Sequence, residues 1–140
     1  MLSAYDVSIS GLVAQRQRLN AISSNIANIS TLENEAGEAK PYQPRYVVFQ
    51  TDEDSQYPAG VAGVKVSQVG IEDIEPIYKY NPNHPLAIKE GDWAGYVAHP
   101  NINLQTQFVD AMEATRAYEA NIGVIEATRE LSQQTLRILA

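Results

Sequence analysis

The side chains in this chain that could do chemistry are few, and their spacing argues against a reaction. His84 and His99 are its only histidines, each beside a proline in a stretch of loop composition. Metal ligands come in closely spaced sets, and two separated histidines in a chain without cysteine do not make one. The groups Asp52-Glu53-Asp54 and Glu72-Asp73-Glu75 offer neighbouring carboxylates. General acid–base work needs a pocket that shifts a pKa, whereas turn-rich surroundings leave carboxylates solvated. Gly60-Val61-Ala62-Gly63 lacks the Gly-Lys-Ser/Thr and the following helix of a phosphate loop. No nucleophile elbow presents a serine. The expectation is a protein that is not an enzyme and carries no cofactor, no metal and no catalytic residue.

Charge and hydropathy narrow the partners. The net charge is −7 and the ten basic residues form no run, so the clustered cations that hold a phosphate backbone are missing and nucleic acid is not expected. The start has neither a basic leader nor an apolar run of signal-peptide length. No segment approaches the roughly eighteen apolar residues of a membrane span. The expectation is a chain without a direct membrane span that is either cytoplasmic or exported without a cleaved signal.

The elements that must position these residues are dominated by the two ends. From Asn101 to Ala140, Leu104, Phe108, Ala111, Thr115, Tyr118, Ile122, Ile125, Leu136 and Leu139 fall mostly on steps of three and four, the seam of a long amphipathic helix. About forty residues at a 1.5 Å rise reach roughly 60 Å. Such a helix outruns any core this chain can build, so its seam must meet other chains or other long helices. A second stripe, Ala114, Ala117, Asn121, Val124 and Thr128, would let another helix approach closely. From Leu2 to about Ile29, Tyr5, Ile9, Leu12, Leu19, Ile22, Ile26 and Ile29 mark another amphipathic helix. Between Val7 and Leu32 its only charges are Arg16 and Arg18. Solvated helix faces carry mixed charge, so this helix is expected to be contacted on more than one side.

Between the helices the pattern changes. Residues 32–44 have loop composition, and Asn28 with Ser30 and Thr31 is placed to end the first helix. Asn28-Ile29-Ser30 also matches a glycosylation acceptor, a three-residue pattern too common to carry weight without a secretory signal. Arg45–Gln50, Val61–Val69 and Ile74–Tyr80 read as three strands of one small β-rich module, with Pro76 favouring an edge. Trp93 and Tyr96 in a glycine-bracketed loop are expected to anchor that module to a helix, and Asn101 or Asn103 to cap the last helix. The fold class is α+β, divided as 1–31 for the first helix, 32–100 for linker and β-rich module, and 101–140 for the last helix, the two ends forming a coiled-coil domain.

Three stretches then stand out together: Ser24-Asn25-Ile26-Ala27-Asn28, the run from Asn83-His84-Pro85 to Gly95-Tyr96-Val97-Ala98-His99-Pro100-Asn101-Ile102-Asn103, and Arg116-Ala117-Tyr118-Glu119-Ala120-Asn121-Ile122. They resemble the bacterial flagellar axial proteins. The first and third are similar to the paired terminal motifs of rod, hook and filament-junction proteins, and the middle run is similar to that of proximal rod members. Ile88 to Trp93 reads as extra sequence against that pattern, and His99 stands where an aromatic residue is usual.

The resemblance implies a structural subunit of the rod that transmits motor torque through the periplasm and surrounds the export channel. It implies export through the flagellum's own type III apparatus, ends that order on assembly, and a β-rich middle facing outward. The partners implied are copies of itself, other proximal and distal rod proteins and the basal-body base. The residues expected to carry assembly are Leu12, Leu19, Ile22 and Ile26 with Asn25 and Asn28 at the first end. At the other end they are Pro100, Asn101, Asn103, Phe108, Tyr118, Glu119, Asn121, Ile122, Ile125 and Leu136. The competing reading is a soluble coiled-coil adapter or chaperone whose terminal helices pair within a dimer.

Overall fold

The computed structural model describes residues 2–53 and 61–139. Helix α1, Leu2–Ala27, contains no proline and ends where the sequence places its stop. The Asn28 amide donates to the Ser24 carbonyl at 2.9 Å, and its Oδ1 accepts from the Thr31 hydroxyl at 3.0 Å. The first bond is a second one to a carbonyl that also accepts from the Asn28 backbone N–H, and with the Thr31 hydroxyl bond it holds the chain in a turn as the helix ends. Helix α2, Leu104–Leu139, is capped by Asn103, whose Oδ1 accepts from the backbone N–H of Gln105 at 2.9 Å and of Thr106 at 3.2 Å. Asn101, the other candidate cap, instead donates to the Glu75 carbonyl at 3.1 Å.

The two helices pack against each other within the chain, antiparallel. Gly11 lies against Asn121, Arg18 against Asp110 and Glu113, and Asn25 against Gln107. On α1 the covered face consists of Ser8, Gly11, Ala14, Ala21, Ile22 and Asn25, and on α2 Ala114 is wholly buried. Small side chains let the helix axes come close. A Cβ added at Gly11 would sit 2.9 Å from the Asn121 amide. Of the two kinds of partner left open by the sequence, other chains or other long helices, α2 meets a long helix of its own chain. The small-residue stripe that includes Ala114 and Asn121 takes the intrachain partner, while Leu104 and Phe108 of the larger seam stay exposed.

The middle of the chain is not one module of three strands. β1 (Arg45–Asp52) pairs antiparallel with β2 (Gly63–Ile71), with a bulge between Val48 and Phe49. β3 (Ile77–Tyr80) pairs antiparallel with β4 (Tyr96–His99) in a separate two-stranded sheet. The first sheet lies on α1, where the Val64 N–H donates to Ser10 Oγ at 3.0 Å. Tyr46 faces Gly70 across the strands, its ring filling the place a side chain would take there.

The fourth strand escapes sequence reading because Tyr96–His99 carries one β-branched residue and runs straight into the helix entry. It forms because Gly95, at φ 83°, turns the chain back so that Asn81 N–H reaches the Gly95 carbonyl at 2.9 Å. β3 is shorter than expected and begins after Pro76, which has no N–H to give a partner strand. Among the described elements β3 and β4 pack only on each other. Trp93 accordingly does not anchor the hairpin to a helix: it stacks on Tyr78 with ring centroids 4.3 Å apart and meets Tyr96 edge-on at 5.3 Å.

The interior is thin. Among the described residues the buried apolar side chains are Ala14, Ala21, Ile22, Val97 and Ala114. Core energy scales with apolar area removed from water, so four small or medium side chains and one isoleucine give little. The first sheet covers part of α1, and among the described residues no element other than α1 packs on α2.

Candidate functional site: an assembly surface on the helix pair

One side chain joins the parts that present this surface. Asn25 is 2 % exposed and makes four hydrogen bonds. Its amide donates to the Arg45 carbonyl at 2.9 Å and to Gln107 Oε1 at 3.0 Å. Its Oδ1 accepts from the Arg45 N–H at 2.7 Å and from the Tyr42 hydroxyl at 3.2 Å. Two donations and two acceptances use the full capacity of an asparagine amide. α1, β1, α2 and the linker thus meet at one residue. Burial pushes the Tyr42 phenol above its ordinary range, against the opposing pull of Arg45, which keeps it a donor.

Beside this junction lies an open cleft of about 310 Å³ lined by residues that include Arg18, Arg45, Phe49, Glu72 and Gln107. Arg18 spans it to reach Glu113 at 3.3 Å and Asp110 at 3.6 Å. The stretch where Glu113, Arg116, Glu119, Glu126 and Arg129 stand at spacings of three thus yields one pair across to α1. Among the described residues no ion pair runs along α2 itself.

The residues expected to carry assembly separate into three groups by exposure. Ile22 and Asn25 are buried inside the chain, and Pro100 is buried where β4 gives way to α2. Leu12, Leu19, Ile26, Asn28, Tyr118, Asn121, Ile122 and Ile125 are half-buried along the helix pair. Asn101, Asn103, Phe108, Glu119 and Leu136 are exposed, Phe108 by 53 % and Leu136 by 66 %. Sequence reading missed Gly11, Ala14, Arg18 and Gln107. Gly, Ala and Ser recurring at steps of three from Ser8 through Gly11 to Ala14 was the available signal.

The candidate chemical groups find other employment. Asp52 pairs with Lys65 across the first sheet at 3.3 Å, Glu72 and Glu75 stand exposed, and Asp54 lies outside the described residues. His84 Nδ1 accepts from the Leu86 N–H at 3.1 Å, which makes it a turn residue. Among the described residues no group of three potential metal ligands forms. No helix among them is long and apolar enough to cross a membrane.

His99 sits on β4, where burial first, and then the nearby Lys79 and His84, hold its imidazole below the usual histidine range. Protons then bind the unfolded hairpin more readily than the folded one, so stability is complete above about pH 6.5 and declines as the pH falls through that value. Trp93, the chain's only tryptophan, reports on it. Its fluorescence should show the hairpin loosening between pH 7 and 5 on a titration series referenced to histidine's ordinary pKa, and the His99→Phe variant should remove that change.

A helix pair with little core and apolar outer faces defines a class of protein whose work is to be held by neighbours. Two family models match this chain in that sense: "Flagella basal body rod protein" over residues 6–32 and "Flagellar basal body rod FlgEFG protein C-terminal" over residues 94–138. They fall on α1 with its closing turn, and on β4 with α2. The flagellar basal-body rod protein FlgC of Borreliella burgdorferi is 37 % identical, over 99 % of this chain and 97 % of its own length. Those of Escherichia coli O6:H1 and Salmonella typhimurium are 35 % and 36 % identical over the same shares. The chain belongs to the FlgC family of flagellar basal-body rod proteins. None of these relatives is named as an adapter, a chaperone or an enzyme.

Proposed function

We propose that this chain is a structural subunit of the proximal rod of the bacterial flagellar basal body, assembling helically into the shaft that transmits motor torque and surrounds the export channel. The observation that carries this reading is the exposure of Phe108, Val109, Met112, Leu131, Leu136 and Ile138 on a helix of which the intrachain partner wholly buries only Ala114 among the described residues. A monomer gains nothing from that arrangement, whereas a subunit gripped on several sides buries all of it. A heterologous interface that does not close on itself builds an open filament. Torque then needs many interlocked contacts and no reactive group.

Residues 1–31 and 101–140 serve as the helical assembly domain and residues 32–100 as the module standing outside it. The assembly residues named above act in two ways: Ile22, Asn25 and Pro100 shape the subunit, and Phe108, Glu119 and Leu136 meet neighbours. Those neighbours are copies of this chain, other rod proteins and the basal-body base. The chain travels through the flagellar export apparatus without a cleaved signal and works in the periplasm.

The test uses cells that carry Phe108→Asp in place of the native gene. Phe108 is more than half exposed, so the purified variant should keep its helical circular dichroism and its urea midpoint. Isolated basal bodies should lack it and the cells should not swim. His84→Ala with His99→Ala should leave swimming intact. Normal swimming of the Phe108→Asp strain would overturn the reading of this face as an assembly surface.

A further inference from the structure

The line along which α1 meets α2 is polar where interlocked helices are ordinarily apolar. On α1, Ser8, Gly11, Gln15, Arg18, Ile22 and Asn25 recur at alternating steps of three and four, and on α2 Gln107, Asp110, Ala114, Ala117 and Asn121 do the same. Three contacts set these lines on each other: Asn25 with Gln107, Arg18 with Asp110, and Gly11 with Asn121. Ser8, Asn25 and Ala114 are buried there, and Gln15 Oε1 is buried with no hydrogen-bond partner among the described residues. Of the eleven positions only Ile22 carries a large apolar side chain. Met112, Leu131 and Ile138 meanwhile stand exposed on other parts of α2.

Such a line gives up stability. A polar atom shut in without a partner costs free energy that a leucine at position 15 does not. What the polar groups supply is selectivity. Apolar attraction is non-directional, so an apolar α1 would settle on Met112 or Leu131 as readily as on Ala114. A line that carries Arg18 and Asn25 is not free to do so. Slipped by one heptad toward the end of α2, it places Arg18 opposite Ala117 and Ala120 and Asn25 opposite Ala114, none of which has a side-chain acceptor. The guanidinium loses its carboxylates and the asparagine amide loses Gln107, and unpaired groups of that kind are expensive to cover.

We propose that the polar line is a pairing code: it makes α1 select the small and polar line of its own α2 in one register and refuse the apolar faces of that helix, in the same copy or in another. The apolar faces are thereby kept free for other contacts. The inference concerns the helix pair alone and holds whatever those faces meet.

Because the chain has no cysteine, engineered disulfides report the pairing without background. A Cβ at residue 11 stands 3.1 Å from the Asn121 Cγ, within reach of a sulfur placed there. The full-length Gly11→Cys/Asn121→Cys chain should therefore close an internal disulfide on oxidation. Gly11→Cys/Thr128→Cys, which reads a slip of one heptad, and disulfide dimers of either chain should fall about tenfold or more below it, the ratio that one mismatched polar contact sets. In chains that also carry Gln15→Leu and Arg18→Leu, helical circular dichroism and the urea midpoint should hold or rise, while the slipped disulfide and the dimers should climb to the level of the native product. Closure at residue 121 alone in the leucine background would overturn the proposal, since chain connectivity would then make the selection. A lowered midpoint there would overturn it as well, because the polar groups would be holding the pair together rather than choosing its partner. So would slipped or dimeric products that match the native one before any leucine is introduced.

Discussion

Replacing Asn25 with alanine should cost about 3 kcal/mol and loosen the helix pair, the first sheet and the linker at once. The substitution removes both donors and the acceptor from a site that is 2 % exposed, leaving Gln107 Oε1 and the Arg45 N–H and carbonyl without their partner. Each buried polar group left unpaired costs on the order of 1–3 kcal/mol, and the groups here lie on β1 and α2, so the loss is not confined to α1. The measurement is a urea titration followed by helical circular dichroism, in which the midpoint should fall by about 1–2 M. Asn25→Asp should not restore stability. Its carboxylate still accepts from Arg45 and Tyr42 but has no hydrogen to give the Arg45 carbonyl or Gln107. A midpoint unchanged in Asn25→Ala would mean that the four bonds are not what joins the linker and first sheet to the helix pair.

The second large effect falls on α2 at Gly123, where the sign depends on the residue introduced. An added Cβ there meets nothing within 4 Å, so Gly123→Ala should raise stability by about 1 kcal/mol through helix propensity alone. Gly123→Pro should lower it by about 3 kcal/mol or more, since the ring removes an N–H from the helical ladder and clashes with the carbonyl one turn back. The break falls two residues beyond Asn121, within the span packed on α1, and severs the last part of α2 from the part anchored at Ala114 and Asn121. Gly123→Ala cells should swim and Gly123→Pro cells should not, their basal bodies lacking the chain. Swimming by the proline strain would contradict a continuous α2 as the assembly element.

These two predictions mark how differently the parts of the subunit can be read. The helices are visible from their periodicity because a long apolar pattern at steps of three and four has one structural solution. Their ends are visible because asparagine and proline act on their nearest neighbours along the chain, as Asn28 and Asn103 do. The strands around Val48 and Val66 follow from β-branched runs, but β4 does not, since its pairing depends on a turn at Gly95 and a partner strand nineteen residues earlier. Tyr96 pairs with Tyr80 across a connection whose length the local pattern of Tyr96–His99 does not encode. The aromatic side chains show the same limit. Trp93 carries no sequence mark of preferring Tyr78 to a helix, because either contact buries its ring.

What the sequence determined by itself was the presence of two long helices too poor in core to stand alone and a short β-rich middle. Both follow from local composition and spacing, which act through hydrogen bonds and sterics between near neighbours. Only the tertiary structure decided which helix faces are spent inside the chain. Packing energy depends on how closely two surfaces approach, and the pair closes through Gly11, Ala14 and Ala114 because small residues let the helices touch over their length. The larger side chains at Phe108, Leu131 and Ile138 are thereby left outside. It also decided that Asn25, legible as a member of a terminal motif, sits at the junction of four parts of the subunit, because its partners lie 17 to 82 residues away along the chain.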